Sequence, residues 1–235
     1  VKQAKAYFAH ASKSRNVSHI NGMLKLSQPP LHIAADKLEA GPGLLNTPGG
    51  MVSRQTGEIR PHSIDAPFQY CTRITNVSPG SQGAAVWSEF LQTITCGDDS
   101  LASFLQQVAG MAAIGHVYHE GIVIANGSGR NGKSTFFNAL YGVLGAYAGT
   151  IDSNTLTTDR QNRGASLATL RGKRLVIAAE LEEHQRLSSS ILKKLASTDK
   201  LTIEEKYRAP EDITQSHTLI LFTNFLPRVG SMDNG

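Results

Sequence analysis

The stretch Gly127-Ser-Gly-Arg-Asn-Gly-Lys-Ser134 constrains the fold more than any other in the chain. It fits the pattern Gly, four residues, Gly-Lys-Ser of a phosphate-binding loop, and such a loop needs a strand before it and a helix after it. Gly121-Ile-Val-Ile-Ala-Asn126 is apolar and partly β-branched, as a buried parallel strand should be, and Thr135-Phe-Phe-Asn-Ala-Leu140 reads as a helix opening. A strand, loop, helix unit commits the chain to an α/β architecture with a parallel sheet and flanking helices.

The residue types match what a polyphosphate requires. Gly127, Gly129 and Gly132 let the backbone turn tightly and bring several N–H groups toward one anion, and the helix start adds its positive end. Ser128, Arg130, Asn131 and Thr135 complete the candidate nucleotide-binding stretch. Lys133 would supply a point charge to the β- and γ-phosphates, and the Ser134 hydroxyl would ligate the Mg2+ that bridges them.

Two more apolar runs behave as buried strands: Arg174-Leu-Val-Ile-Ala-Ala179, stopping at Glu180, and Thr218-Leu-Ile-Leu-Phe-Thr223, stopping at Asn224. In an open parallel sheet the carboxyl ends of the strands line the ligand crevice, so Glu180 and Asn224 should face the same place as the loop. An acid there can hold Mg2+ and polarise an attacking water, and an amide can orient that water or contact the γ-phosphate. The expected catalytic set is therefore Lys133, Glu180 and Asn224, with Ser134 and Glu180 on the metal side.

The rest of the chain supplies scaffolding. Ala4, Tyr7, Phe8 and Ala11, then Ile20, Met23 and Leu24, have helical spacing in two pieces, with Ser18 as a cap for the second. Gln28-Pro-Pro-Leu31 stops the second helix and opens a Gly/Pro-rich region in which Met51–Arg60 reads as two short strands around a turn near Gln55-Thr-Gly57. Between about Ala84 and Tyr118 the spacing predicts two helices, one with Val86, Trp87, Phe90, Leu91 and Ile94 on a face, the other with Leu101, Phe104, Leu105, Val108, Met111 and Ala112. Asp98-Asp-Ser100 is the start signal for the second. These divisions give an N-terminal helical and irregular segment, 1–83, and a nucleotide-binding module, 84–235, with 84–118 as its helical lead-in.

Composition removes some classes of function. No apolar run is long enough to span a bilayer and the N-terminus is too polar for a secretory signal, which points to a cytoplasmic setting without a membrane partner. Cys71 and Cys96 form no Cys-x-x-Cys pattern and read as buried or idle thiols. His116 and His119 are spaced to share a helical face but lack a third ligand, so they read as surface or packing histidines. A net charge of +4 suits a polyanion without demanding one. After a helix expected over Leu187–Ala196, the run from Ser197 to Arg208 reads as a hairpin with Lys206, Tyr207 and Arg208 near its tip, residue types that suit a phosphate backbone and its sugars.

The order of these motifs resembles the phage and plasmid primase-helicases, related to the poxvirus primase-helicase, whose P-loop motor belongs to helicase superfamily three. The resemblance rests on Leu45–Val52 with Thr56–His62, then Gly129–Thr135, Arg171–Glu180 and Phe222–Arg228. It implies an AAA+-like motor that hydrolyses ATP to translocate on and unwind DNA, single-stranded or forked. It also implies a homo-oligomeric ring, typically a hexamer, whose hairpin tip touches DNA in the channel, with a primase domain or protein as a further partner and a phage or plasmid in a bacterial host as the source. By the same resemblance Glu180 is the acidic metal-side residue and Asn224 the sensor.

Three departures from that pattern carry consequences. Ala179 stands where many members have a second acid, with Glu182 and Glu183 just after Glu180; Ser197-Thr198 replaces a Gly-Gly before the hairpin Asp; and the sequence stops at Gly235 before the arginine finger, so the motor is expected to be truncated at its C-terminus. The second expectation is accordingly an ATP- and DNA-binding module with little turnover of its own. A small-molecule kinase would want an arginine-rich lid, and the strand-terminal Asn224 and the basic hairpin argue against it.

Overall fold

A computed structural model describes residues 2–33, 38, 43–63, 70–158, 167–203 and 210–229. Its centre is a four-stranded parallel sheet made of β4 (Ile122–Asn126), β5 (Ala148–Asp152), β6 (Leu175–Ala179) and β10 (Thr218–Thr223), in the spatial order β4-β10-β6-β5. The pairing Thr223↔Asn126 on one side of β10 and Phe222↔Ala179 on the other leaves all these strands ending at nearly the same level. The fold is thus α/β, with the parallel sheet flanked by helices and preceded by a helical and mixed N-terminal region.

Side chains alternate across a strand, so an apolar run buried on both sides feeds two cores. Leu175, Ile177, Ile220 and Phe222 face one core with Phe136, Phe137 and Leu144 of α5 (Lys133–Leu144). Leu91 of α3 (Ala84–Ile94) and Val108 and Ala112 of α4 (Asp99–Ile114) close that side. Val176, Ala178, Leu219 and Leu221 face the other core, with Ile191 and Leu195 of α6 (Ser189–Ala196) and with Leu201, Ile203 and Ile213. The last three belong to β8 (Leu201–Ile203) and β9 (Glu211–Ile213), an antiparallel pair in register Leu201↔Ile213. This is the expected hairpin; its tip residues Lys206, Tyr207 and Arg208 lie outside the described residues. A further parallel pair, β7 (Arg186–Leu187) and β11 (Arg228–Val229), follows the ends of β6 and β10.

The N-terminal part holds α1 (Lys2–Ser14), α2 (Val17–Ser27) and an antiparallel sheet of β1 (Leu44–Thr47), β2 (Gly50–Ser53) and β3 (Ile59–Arg60). Arg174, 5% exposed, fastens this sheet to the large one. Its guanidinium donates to Ala113 O at 2.9 Å and to Leu44 O at 2.7 Å, and it lies over the Tyr147 ring at 4.3 Å. Burying a guanidinium is tolerated only with such partners.

Several expectations need correction. The cap of α2 is Asn16, whose side chain accepts from Ser18 N, rather than Ser18 itself; an Asn carbonyl one position before the helix reaches its free N–H groups. Val86, Leu101 and Phe104 are exposed, because the apolar arcs of α3 and α4 are wider than the stripes that meet the core. Residues 116–119 are not helical, so His116 and His119 share no helical face; α4 ends one turn earlier at the left-handed Gly115. Strand β5, Ala-Gly-Thr-Ile-Asp, and strand β1 lack an apolar run long enough to announce them. Of the two cysteines, Cys96 is exposed and Cys71 half-buried.

Candidate functional site

Three neighbouring strands deliver the site. β4 ends at Asn126 and leads into the loop; β10, beside it, ends at Thr223 and is followed by Asn224; β6, next in the sheet, ends at Ala179 and is followed by Glu180. One cleft of about 220 Å³ is lined by Gly129, Arg130, Asn131, Gly132, Lys133, Ser134, Thr135, Glu180, Phe222, Thr223 and Asn224. The expected phosphate, metal and sensor groups therefore share one hollow at the carboxyl ends of parallel strands, where ligands of open α/β sheets bind.

Within the loop, sterics account for two glycines. A Cβ on Gly127 would sit 2.4 Å from Asn131 Nδ2, and Gly132 has φ +85° with its would-be Cβ 2.4 Å from Ile94 Cγ2. Arg130 is also left-handed, at φ +63°. Left-handed residues among right-handed ones build the backbone concavities that hold anions. No side chain caps the start of α5 at Gly132, which leaves its first N–H groups open to a ligand. Ser128, exposed, offers its carbonyl to Lys133.

The Lys133 ammonium is the hub. It donates to Gly127 O at 2.6 Å, Ser128 O at 3.2 Å and Asn131 Oδ1 at 3.0 Å, and reaches Asn224 Oδ1 at 3.4 Å. These are oxygen acceptors of the kind phosphate oxygens would replace, and the Asn224 contact links residues 91 positions apart in sequence. Asn224 is set by a tight turn in which the buried Thr223 hydroxyl accepts from Phe225 N at 3.2 Å.

Glu180 carries backbone strain. Its φ is +50°, a conformation that costs a non-glycine residue about 1–2 kcal/mol. Two bonds hold it there: its N–H donates to Phe222 O at 2.9 Å, and its carbonyl accepts from Ser153 Oγ at 2.8 Å. Such strain clusters at ligand sites, where it aims a side chain. Among the cleft-lining residues Glu180 is the one acid; Glu182 and Glu183 do not line it, and Glu183 lies instead 3.7 Å from His184.

A hard dication fits this donor set in a particular way. The exposed Ser134 hydroxyl has no hydrogen-bond partner among the described residues, and the Glu180 carboxylate shares its cleft, two oxygen donors suited to Mg2+. No group of three His, Cys, Asp or Glu side chains that could cage a metal occurs among the described residues. The remaining ligands would have to come from water and phosphate, as Mg2+ prefers.

Sequence reasoning missed Ser153 and Thr223, which position Glu180 and Asn224. Thr223 closes its turn within the Thr-Asn-Phe stretch, a local signal of hydroxyl-made turns. Ser153 meets Glu180 from 27 positions away, which no local pattern reveals.

Comparison with known proteins extends these observations. A family model described as "D5 N terminal like" matches residues 1–96, and a family of unknown function (DUF5906) matches residues 125–234. No curated protein gives a significant match. Among solved structures, the A form apo structure of the NrS-1 C-terminal region aligns at 18% identity and TM-score 0.51, covering 68% of this chain and 37% of that one. A second apo structure of the same region gives 17% identity, TM-score 0.51, and coverage of 68% and 38%. The chain thus spans well under half of the length of the structures it resembles. The structural matches support the fold, an α/β core on a parallel sheet flanked by helices. No helix among the described residues is long and apolar enough to cross a membrane.

Proposed function

We propose that this chain contains the ATP-hydrolysing motor of a DNA helicase of the superfamily-three type, with residues 84–235 as the motor and 1–83 as its N-terminal segment. One observation carries the reading: Lys133, Ser134, Glu180 and Asn224, collected from three strand ends, line a single cleft, with Lys133 Nζ already 3.4 Å from Asn224 Oδ1. A structural loop has no reason to gather two cations, an exposed hydroxyl, a strained acid and an amide.

In this reading ATP binds with its phosphates on the loop 127–135, Lys133 exchanging its carbonyl partners for β- and γ-phosphate oxygens. Ser134 and Glu180 would hold the Mg2+, which when bound supplies charge to the bridging phosphate oxygens. Glu180 also accepts a proton from the attacking water, and Asn224 orients that water or the γ-phosphate. The hairpin tip with Lys206, Tyr207 and Arg208 contacts single-stranded or forked DNA inside a ring of like subunits, typically six. A primase domain or protein acts beside it, in the cytoplasm of a bacterial host carrying the phage or plasmid.

Lys133→Ala is the direct test. ATP hydrolysis should fall by about 100-fold or more, the range lost with one charge-stabilising donor, and binding of a fluorescent ATP analogue should weaken in parallel. Turnover at the wild-type rate would overturn the assignment. Glu180→Gln should keep nucleotide binding while turnover collapses, which separates the acid from the loop.

A further inference from the structure

A second hollow is larger than the nucleotide cleft. It measures about 550 Å³ and is lined by Glu120, Lys193, Lys194, Ala196, Ser197, Asp199, Lys200, Leu201 and Thr202. Glu120 precedes β4, and α6 runs into the loop that enters β8, so this hollow sits by the starting end of the sheet and the root of the hairpin. The cleft at Lys133 lies at the opposite, carboxyl ends of the strands, and the two share no lining residue.

Two backbone carbonyls of this hollow are occupied, whereas its lysine ammonium groups have no partner among the described residues. The buried Gln215 amide donates to Lys194 O and, at 3.4 Å, to Asp199 O. Glu120 Oε1 accepts from Thr198 N at 3.0 Å and from Thr198 Oγ1 at 2.7 Å, and these bonds keep its carboxyl ionised below the usual range. The ammonium groups of Lys193, Lys194 and Lys200 are exposed and have no hydrogen bond or ion pair among the described residues. Among the lining residues three ammonium groups stand against two carboxylates, Glu120 and Asp199, and a third carboxylate, Asp212, is engaged by Thr202 Oγ1 at 2.7 Å.

Lys193 and Lys194 also occupy the last turn of α6, where cations favour the helix dipole. That role explains neither Lys200, beyond the helix, nor a hollow of this size walled by hydroxyls at Ser197 and Thr202. Exposed lysines around an open groove suit a partner carrying repeated charges better than one small anion, because each phosphate met releases counterions. The groove also runs into β8, so a strand lying in it passes directly to the hairpin.

We propose that this groove binds the phosphodiester backbone of single-stranded DNA through Lys193, Lys194 and Lys200, as a second contact at the root of the hairpin. The proposal rests on the helicase reading for its partner, but its residues and its test are separate from the nucleotide cleft.

The experiment measures fluorescence anisotropy of a labelled single-stranded oligonucleotide titrated with the chain, across a salt series. The variant carrying Lys193→Gln, Lys194→Gln and Lys200→Gln should bind about 10-fold or more weakly at low salt. Its salt slope should drop by about 2, from roughly 0.7 per lost phosphate contact on single strands. Asp199→Asn, which removes a like charge from the groove, should tighten binding. Thermal melting checks the fold of each variant, and a triple Lys→Arg variant should restore the slope. A triple Gln variant that melts at a lower temperature yet binds with the wild-type affinity and slope would leave only the helix-dipole role and overturn the proposal. So would a wild-type chain that does not bind the oligonucleotide. Loss of ATP-analogue binding by wild type would instead strike the helicase reading, while the anisotropy series still decides the groove.

Discussion

The two N-terminal helices and the large sheet both carry large apolar residues and end up in opposite environments. In the helices these recur at helical spacing, and in the strands they form continuous runs. Yet α1 and α2 bury no residue, leaving Tyr7 and Phe8 at 77% and 75% exposure and Leu26 at 80%, whereas Leu175, Val176, Ile220 and Leu221 are fully buried. Periodicity specifies the local conformation; burial requires a second surface of matching shape. The sheet has one on each side. The helix pair has none among the described residues, so its helices rest on propensity and capping, and stability should be distributed very unevenly along the chain.

That contrast can be broken by measurement. Leu221→Ala, in the middle of β10, should lower the unfolding free energy by about 2–5 kcal/mol, read from chemical denaturation. A loss as small as that of a surface residue would mean that the sheet core is not the stable unit.

Acid titration probes the same core through a different group. His217, just before β10, is buried with both ring nitrogens unpartnered among the described residues, and burial lowers its pKa from 6.5 to about 4. Below pH 6.5 the unfolded chain takes up a proton that the fold refuses. Stability is therefore full above pH 6.5 and falls as pH drops toward 4, by about 3 kcal/mol for this one site. His217→Leu should flatten that part of the pH–stability curve. An unchanged slope would show that the ring is hydrated through the small cavity of about 40 Å³ beside it.

Smaller effects belong to the helices. Asp98→Ala removes a cap that accepts from Ser100 N and Leu101 N, and should cost the folded unit about 1 kcal/mol. Asn16→Ala removes the equivalent cap of α2 and should reduce helical circular dichroism without moving the main unfolding transition. Leu24→Ala, at a position 57% exposed, should change global stability by less than about 0.5 kcal/mol; a larger loss would reveal a surface that covers α2.

These comparisons also show what was legible in the sequence. The loop, the strands β4, β6 and β10, and the convergence of Lys133, Glu180 and Asn224 were readable because an apolar run ending in a polar residue specifies both a buried strand and its open end. Edge strand β5 was not: Ala148-Gly-Thr-Ile-Asp152 carries a single large apolar residue, and its strand character comes from pairing with β6. The strain at Glu180 was equally hidden, since the bonds that hold its left-handed φ come from the distant Phe222 and Ser153 and not from any local propensity. Solvent exposure of Val86 and Phe104 was misjudged because spacing marks a face without saying how much of it meets a neighbour.

The buried Arg174 has one more consequence. It stands immediately before β6, and Glu180 immediately after, roughly 20 Å apart at the rise of an extended chain. The ladders to β5 and β10 on either side make the strand between them a stiff rod. One end of that rod is tied by the guanidinium to β1 and the last turn of α4; the other carries the acid of the nucleotide cleft. A guanidinium does not lose its charge at any working pH, so the tie has no proton-operated release. The small N-terminal sheet and the acid of the nucleotide cleft are thus fastened to opposite ends of one strand, through Leu44 O at one end and Phe222 O at the other.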